Sequence, residues 1–253
     1  MWFALRPDNP QVRAHRAAGG EAWFVERGAL TRARGADEVA VVDVASVPFC
    51  FGGAAQHNVA NALAAAALAS ALGLPDAAIA AGLRSFTSSS TDNPGRANLA
   101  RVDGVLVLLD FAHNAAGIAG LTGLLHALRG NHRLIVCTGV AGDRRDEDIR
   151  DAAAAIHALA PAEVRLRDHE KYLRGRPLGE VPRMMRETLV GLGTPDAAIR
   201  EVASEIEALR EGLAWARPGD VIAILDHVER DEIHAELQRR GAEFDPRLTL
   251  AAS

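Results

Sequence analysis

The residues able to do chemistry fall into five polar clusters, each set where one kind of element gives way to another. The first runs from Phe51 through Gly52, Gly53, His57 and Asn58 to Asn61. Two glycines lead into a helix starting near His57, and Asn58 and Asn61, three apart, share one helical face. Carboxamides there can donate and accept at once, which suits a nucleobase edge. Equally, Asn58 can cap the helix while Asn61 lies in solvent. The second cluster is Asp92-Asn93-Pro94-Gly95-Arg96, a turn presenting an arginine. Its fork of donors matches phosphate or ribose oxygens, though a plain surface arginine after a turn has the same sequence. The third, Asp110-Phe111-Ala112-His113-Asn114, directly follows an apolar run. A carboxylate at a strand end can accept both hydroxyls of a ribose; Asn114 can instead be a cap and His113 a core residue.

The fourth cluster, Gly139-Val140-Ala141-Gly142-Asp143-Arg144-Arg145, is Gly-rich and charged but lacks the G-x-x-x-x-G-K-[ST] signature of a phosphate loop. Arg144 and Arg145 can meet an acidic substrate, or pair with Asp143, Asp146 and Asp148 at a solvated helix start. The fifth sets Lys171, Arg174 and Arg176 around Gly175, an anion site or an ordinary basic loop. No G-x-S-x-G, C-x-x-C or H-E-x-x-H occurs, so neither a nucleophile–base triad nor a metal spacing is present.

The elements that must position these clusters change character along the chain. Residues 1–50 read as short strands, MWFALR, EAWFVERG, ALTRARG and DEVAVVDVASVPF, forming a small, mostly antiparallel sheet with little helix to cover it. A long Ala-rich helix from His57 to about Leu72 stops at Gly73, with Pro75 beyond, and a shorter helix follows at PDAAIAAGLRSF. TSSSTDNPG then reads as an interdomain linker. Beyond it apolar strands (VLVLLDF, RLIVCTGV, AEVRLRD, AAIREVA, DVIAILDH) alternate with amphipathic helices, the pattern of an α/β domain with a largely parallel sheet. DFAHN, TGVAGDRRD and LDH stand at strand carboxyl ends, where such sheets collect ligands. The expected division is residues 1–91 and 92–253.

Composition narrows the classes. The 253 residues are 49% hydrophobic and 24% charged, with a formal charge of -5, which gives no general attraction to nucleic acid or anionic membrane. No apolar run reaches the ~18 residues of a membrane span, and MWFALRPDNP is neither a signal nor a transit peptide. Cys50 and Cys137 are isolated in apolar contexts, too few for a disulfide framework, which fits a cytoplasmic location.

Taken in order, the clusters resemble the Mur ligase family, which joins an amino acid to a carboxylate through an acyl-phosphate made with ATP. That family ends its central ATPase domain with a Gly followed by H-N-x-x-N, matched by Gly53, His57, Asn58 and Asn61. The resemblance implies adenine contact there. Gly95-Arg96 looks like the family's nucleotide-contacting arginine at the junction to its C-terminal domain. The opening D-[YF]-[AG]-H-N-P of that domain is matched by Asp110 to Ala115, with Ala115 in place of Pro, and gives Asp110 the ribose. Gly142-Asp143-Arg144 matches the G-D-R loop, which in some members lies near the incoming amino substrate. His113 and Arg144 become the candidate catalytic residues; His57, Asn58, Asn61, Arg96 and Asp110 the candidate nucleotide contacts. FGG…HNVANALAAAALASALGLP, SFTSSSTDNPGRANL and LRGRPLGE are similar to the cyanophycin synthetase branch, whose Mur-like half adds Arg to an aspartate side chain.

The resemblance implies a fold: a Rossmann-like, mostly parallel α/β domain, the Mur ligase C-terminal domain, preceded by part of a central domain built as a small antiparallel sheet plus helices. The family's G-[ST]-x-G-K-[ST] loop and magnesium-binding segment are not among these residues. ATP is the implied cofactor, with Mg²⁺ held mainly by a P-loop-bearing ligase half, and the chain is expected to be inactive alone. A peptide or amino-acid substrate and a homodimer are the expected partners. The alternative is a non-catalytic binding or assembly module derived from such a ligase.

Overall fold

The computed structural model describes residues 1–91, 93–168, 170–225 and 228–244. Asp92 of the predicted turn, and Asp226 and His227 at the end of the last predicted strand, lie outside the described residues. The chain divides into two compact units, Met1–Thr87 and Ser88–Ser253.

The first unit is a four-stranded sheet in the order β1-β2-β3-β4, from β1 (Trp2–Phe3), β2 (Glu21–Glu26), β3 (Ala29–Arg34) and β4 (Asp37–Asp43). β2, β3 and β4 are antiparallel, and β1 runs parallel to β2. The stretch read as turns holds a helix, α1 (Pro10–Ala17). Asn9 accepts the N–H groups of Gln11 and Val12 through its side chain and Pro10 occupies the first helical position, a start signal that an extended reading of the first fifty residues passes over. Val12 of α1 packs with Ala22, Phe24 and Ala33 on one face of the sheet. On the other, Trp23, Leu30 and Val42 pack against Val59, Leu63 and Ala66 of α2 (Gln56–Ala71) and Ile79 and Leu83 of α3 (Asp76–Ser85). The expectation of an uncovered sheet is therefore corrected: both faces carry helices. α2 ends as its sequence requires, with Gly73 at φ +85° and the Leu74 N–H closing on the Ala69 carbonyl at 3.1 Å.

The second unit is a seven-stranded mixed sheet in the order β11-β5-β6-β10-β7-β8-β9. Its strands are β5 (Asn98–Val102), β6 (Val105–Asp110), β7 (Leu134–Thr138), β8 (Glu163–Arg167), β9 (Ile199–Val202), β10 (Val221–Leu225) and β11 (Glu243–Phe244). β6, β10, β7, β8 and β9 are parallel; β5 and β11 form an antiparallel edge. Every residue of β6, β7, β8 and β10 is buried, the cause of the near-continuous apolar sequence of β6, β7 and β10. The helices are α4 (Ala115–Gly120), α5 (Thr122–Arg129), α6 (Asp146–Ala158), α7 (Glu180–Gly191), α8 (Glu205–Trp215) and α9 (Arg230–Arg239). α8 and α9 share one apolar cluster with β5, β6, β7 and β10.

The predicted linker is a folded turn. Ser88 is buried, and buried Asn98 donates to the Ser88 carbonyl at 2.9 Å and the Asn93 carbonyl at 3.1 Å while accepting the Gly95 N–H at 2.6 Å.

α8 and α9 are joined through Glu236. Its carboxylate is buried and accepts from Arg240 at 2.8 Å, Arg210 at 3.1 Å and also Arg239. These guanidinium groups, Arg240 foremost, hold its carboxyl down at about 2, below its ordinary value of 4.5. A depressed carboxyl stabilises the fold above its unfolded pKa and ceases to do so as pH falls through the folded one. Glu236→Gln should therefore cost on the order of 1–2 kcal/mol at neutral pH, the exposed arginines limiting the effect. Urea unfolding of both proteins across pH 6 to 2 checks this: the deficit should shrink between about 4.5 and about 2, and a pH-independent deficit contradicts it.

Candidate functional site

Because β6, β7 and β10 are buried and apolar along their length, their polar neighbours gather where the strands end. Three carboxyl ends do gather them: the segments after β6, β7 and β8 enclose a cavity of about 240 Å³. Phe111 and His113 line it from the first, Gly139 to Arg144 from the second, and Arg167, Tyr172 and Arg174 from the third. Ligand pockets commonly run from about 300 to 1,000 Å³, so this one suits a single small molecule such as an amino acid rather than a whole nucleotide.

His113 is half-buried, its ring 5.2 Å from that of Phe111 and its Nδ1 3.0 Å from the Phe111 carbonyl. A carbonyl can only accept, so in the neutral ring Nδ1 carries the proton and Nε2 is the basic nitrogen. Asn114 caps α4 by accepting the Gly117 N–H at 2.8 Å; of its two readings, the cap is the one seen.

The loop after β7 must come within contact distance of the loop after β8, and two glycines allow it. A Cβ on Gly139 would lie 2.6 Å from the Arg167 carbonyl oxygen, and one on Gly142 only 2.1 Å from that of Leu173. The Gly142 N–H donates to the Tyr172 carbonyl at 2.8 Å. Arg176 locks the two together, donating to the Gly142 carbonyl at 2.8 Å, the Arg144 carbonyl at 2.9 Å, Asp146 at 2.8 Å and Glu180 at 2.6 Å. Its guanidinium holds the Asp146 carboxyl below the usual range, and is itself raised by Asp146 and Glu180. Of the arginines proposed for an anion, Arg176 is therefore committed to the loops, and Arg145 to Asp148 at 2.9 Å. Arg144 and Arg174 line the cavity.

One lining residue, Arg167, belongs to an ion pair that the sequence reading does not contain. Arg167 and Glu205, both buried, bond directly, and Glu205 also accepts the Val228 and Glu229 N–H groups at 3.1 and 2.7 Å. The signal was the run Glu163-x-Arg165-x-Arg167. Alternate residues of a strand share a face, and here that face meets Glu205 and Glu211 of α8.

Beside the cavity, Phe111 also carries Arg96, whose guanidinium lies 5.2 Å from the ring centre, and Arg230 at 5.8 Å. Asp110 is buried at the end of β6 and accepts the Ala97 N–H at 2.9 Å. Arg96, Asp110, His113 and Arg144 are thus brought to one edge of the second unit. Arg230, at the start of α9, was missed because that helix was not read in the sequence.

In the first unit, His57 and Asn58 open α2 half-buried and Asn61 is exposed. Asn58 does not cap the helix. Its Nδ2 donates to the Phe49 carbonyl at 2.8 Å, and its Oδ1 lies 3.4 Å from Asn61 Nδ2. The pair is a wired carboxamide relay whose outer member faces solvent. Among the described residues, no group of three or more His, Cys, Asp or Glu could hold a metal ion, and no helix is long and apolar enough to cross a membrane.

A parallel core with polar loops gathered at its carboxyl edge defines an α/β domain of the layered, mostly parallel kind. The chain belongs to the Mur ligase family: residues 95–225 match the model described as Mur ligase, glutamate ligase domain. Cyanophycin synthetase of Trichormus variabilis is 30% identical over 224 residues, 88% of this chain and 24% of that protein. UDP-N-acetylmuramoyl-L-alanyl-D-glutamate–2,6-diaminopimelate ligase of Thermosynechococcus vestitus is 34% identical over 175 residues, covering 67% of this chain and 32% of that protein. The chain thus spans about a quarter to a third of the length of these relatives. In structure it is similar to E. coli FolC, solved with DHPP and ADP, with a TM-score of 0.59 at 20% identity over 94% of this chain and 53% of that one. The UDP-N-acetylmuramate–alanine ligase of Thermotoga maritima gives 0.56 at 18% identity over 86% and 46%. These two likenesses establish a shared α/β fold with mixed sheets and flanking helices.

The loop packing is testable. Gly142→Ala places a methyl group against backbone that cannot turn aside, so it should cost about 1–3 kcal/mol. Hydrogen exchange at residues 171–176 should rise with it. Unchanged exchange and melting would refute the tight register described here.

Proposed function

We propose that this chain is the nucleotide- and amino-substrate-contacting part of an ATP-dependent, Mur-type amide ligase of the cyanophycin synthetase kind. The observation that carries the reading is the joint arrival of Asp110, His113 and Arg144 at one sheet edge of a Mur ligase domain. Asp110 suits a ribose: it is a carboxylate at a strand carboxyl end, held in place by the Ala97 N–H. Arg96 and Arg230 stand beside it on Phe111 as partners for anionic oxygens. The adenine is assigned to His57, Asn58 and Asn61, with Asn61 as the outward group and Asn58 as its anchor.

When bound, ATP supplies the phosphoryl group that turns an acceptor carboxylate into an acyl-phosphate. The chain's own residues then serve the second half of the reaction. The amine attacks the acyl carbon, the C–N bond forms, phosphate leaves, and the surplus proton goes to a base. Nε2 of His113, basic because Nδ1 is tied to Phe111, is the group at the cavity suited to take it. The described residues do not fit Mg²⁺, which in this reading belongs, with the β- and γ-phosphates, to a P-loop-bearing half. A cytoplasmic setting and the absence of any nucleic-acid or membrane partner are part of the same proposal.

Two measurements test it. ATP titrated calorimetrically should bind the chain, with Asp110→Ala weakening it at least tenfold; tight peptide binding indifferent to ATP would favour an assembly module instead. Phosphate release should require both this chain and a P-loop-bearing half, and turnover by the chain alone would overturn the claim of dependence. The reading also includes a two-fold dimer. Its remaining support is the exposed β1 and β4 edges, with Trp2, Phe3 and Val39 each near half-exposed. Sedimentation at micromolar concentration should show the dimer; a clean monomer would exclude it.

A further inference from the structure

Glu205 is buried at the start of α8, yet that helix is capped without it. Ser204 Oγ accepts the Glu207 N–H at 3.1 Å, and the Glu207 carboxylate accepts the Ala203 N–H at 2.7 Å. The Glu205 carboxylate instead joins its helix to two other segments. It takes the guanidinium of buried Arg167, which lines the cavity after β6, β7 and β8. It also accepts the N–H groups of Val228 and Glu229, at 3.1 and 2.7 Å, just ahead of α9. Glu229 in turn accepts the Ile206 N–H at 2.9 Å, so the starts of α8 and α9 are tied in both directions.

Arg230 is the next residue. Its guanidinium lies 5.8 Å from the centre of the Phe111 ring, which that of Arg96 approaches at 5.2 Å. It also packs against the turn that carries Arg96, since a Cβ on Gly95 would lie 3.0 Å from Arg230 Nε. A chain of contacts thus runs from Arg167 through Glu205 to Val228 and Glu229, and one residue on to Arg230, Gly95 and Phe111. Well-packed apolar residues often stabilise a fold as well as a buried ion pair does. What they cannot do is accept two backbone N–H groups and so fix where a helix begins.

We propose that Glu205 is a positioning residue for the nucleotide, acting through Arg230: it sets the start of α9 so that Arg230 stands beside Arg96 on Phe111. The inference rests on the ligase reading for the nucleotide, and goes beyond it by naming the group that holds one of its anion partners in place. Arg230 meets the anionic oxygens, and Glu205 acts only on the backbone that carries Arg230. A contacting side chain is effective when its supports hold it to within about 0.5 Å of the productive geometry. Two N–H bonds from consecutive residues to one buried carboxylate are a support of that kind.

The test uses the intact 253-residue chain. Glu205→Asp keeps the charge that Arg167 requires but is one methylene shorter, so it cannot reach Arg167 and both N–H groups together. Glu205→Gln keeps the length and loses the charge; should it fail to fold, Glu205→Asp decides. Two quantities are read on each variant: ATP affinity by calorimetry, and the NMR shift of the Arg230 side-chain Nε–H, which the ring current of Phe111 displaces. Both variants should move the Arg230 signal toward that of an exposed arginine and weaken ATP binding about three- to fivefold. Arg230→Gln should weaken it to a similar extent. The double variant Glu205→Asp with Arg230→Gln should bind no more weakly than Arg230→Gln alone, because both changes remove one interaction. Leu213→Ala, which thins the apolar side of the same helix, should lower the melting temperature and leave both quantities unchanged, a result that separates positioning from loss of stability. Undiminished ATP affinity in folded Glu205→Asp, an additive double variant, or an unmoved Arg230 signal would each overturn the proposal. An unaltered chain that binds no ATP removes the ligase reading, and the Arg230 signal then decides alone whether Glu205 sets the place of that side chain.

Discussion

Full burial of the parallel strands is the constraint on which the second unit depends. β6, β10, β7 and β8 are covered along their whole length, so their side chains must be apolar or internally paired. Chemistry is thereby expelled to the strand ends. The right-handed rule for parallel connections sends each helix back across a face, so all the carboxyl ends open on one edge. β10 enters between β6 and β7, and the segments after β6, β7 and β8 still meet around one cavity. The exception inside the sheet is instructive. Glu163, Arg165 and Arg167 are buried, and they survive there because each faces an opposite charge, on the same strand or on α8.

A cavity at a sheet edge needs rigid walls, and here the rigidity is local. The β7 and β8 loops approach closely because Gly139 and Gly142 have no side chain to keep them apart. Arg176 then converts proximity into a fixed register by bonding two carbonyls and two carboxylates at once. That commitment divides labour among the arginines. Those with acid partners hold the frame, while Arg144 and Arg174 remain directed to the cavity.

The sequence showed the alternation of strands and helices after residue 105, and the site clusters at their ends, because burial writes itself as apolar runs and strand exits as Gly-rich polar loops. It did not show β5, although Leu99 to Leu109 contains an Asp103-Gly104 turn between apolar runs, a strong hairpin signal. The segment was absorbed into the turn before it. α1 was lost among what looked like turn residues, since its Asn-Pro start reads the same as a bend until the helix after it is seen. α9 is largely polar, with only Ile233, Glu236 and Leu237 buried, so its apolar stripe is too thin to stand out. The pairings were the least legible. Nothing in the order of residues says that Arg176 serves structure while Arg174 does not, because partner choice is decided by loops distant in sequence.

The two halves of the candidate nucleotide set differ in how they are built, and the difference follows from their hydrogen bonds. In the first unit, Asn58 spends its amide on a carbonyl nine residues earlier, fixing the Phe49–Gly53 segment whose Phe51, Gly52 and Gly53 take positive φ values. Such a segment has no regular ladder to satisfy its carbonyls, so a side chain must do it. The H-N-x-x-N spacing therefore serves two needs at once: the first Asn anchors the strained entry to α2, and the second, one turn on, is carried at the surface by the first. In the second unit the corresponding anchor is Asn98, which gathers the Ser88 and Asn93 carbonyls and the Gly95 N–H so that the turn before β5 delivers Arg96 onto Phe111. In both places an asparagine hydrogen-bonds irregular backbone and so holds the segment beside a residue proposed for the nucleotide.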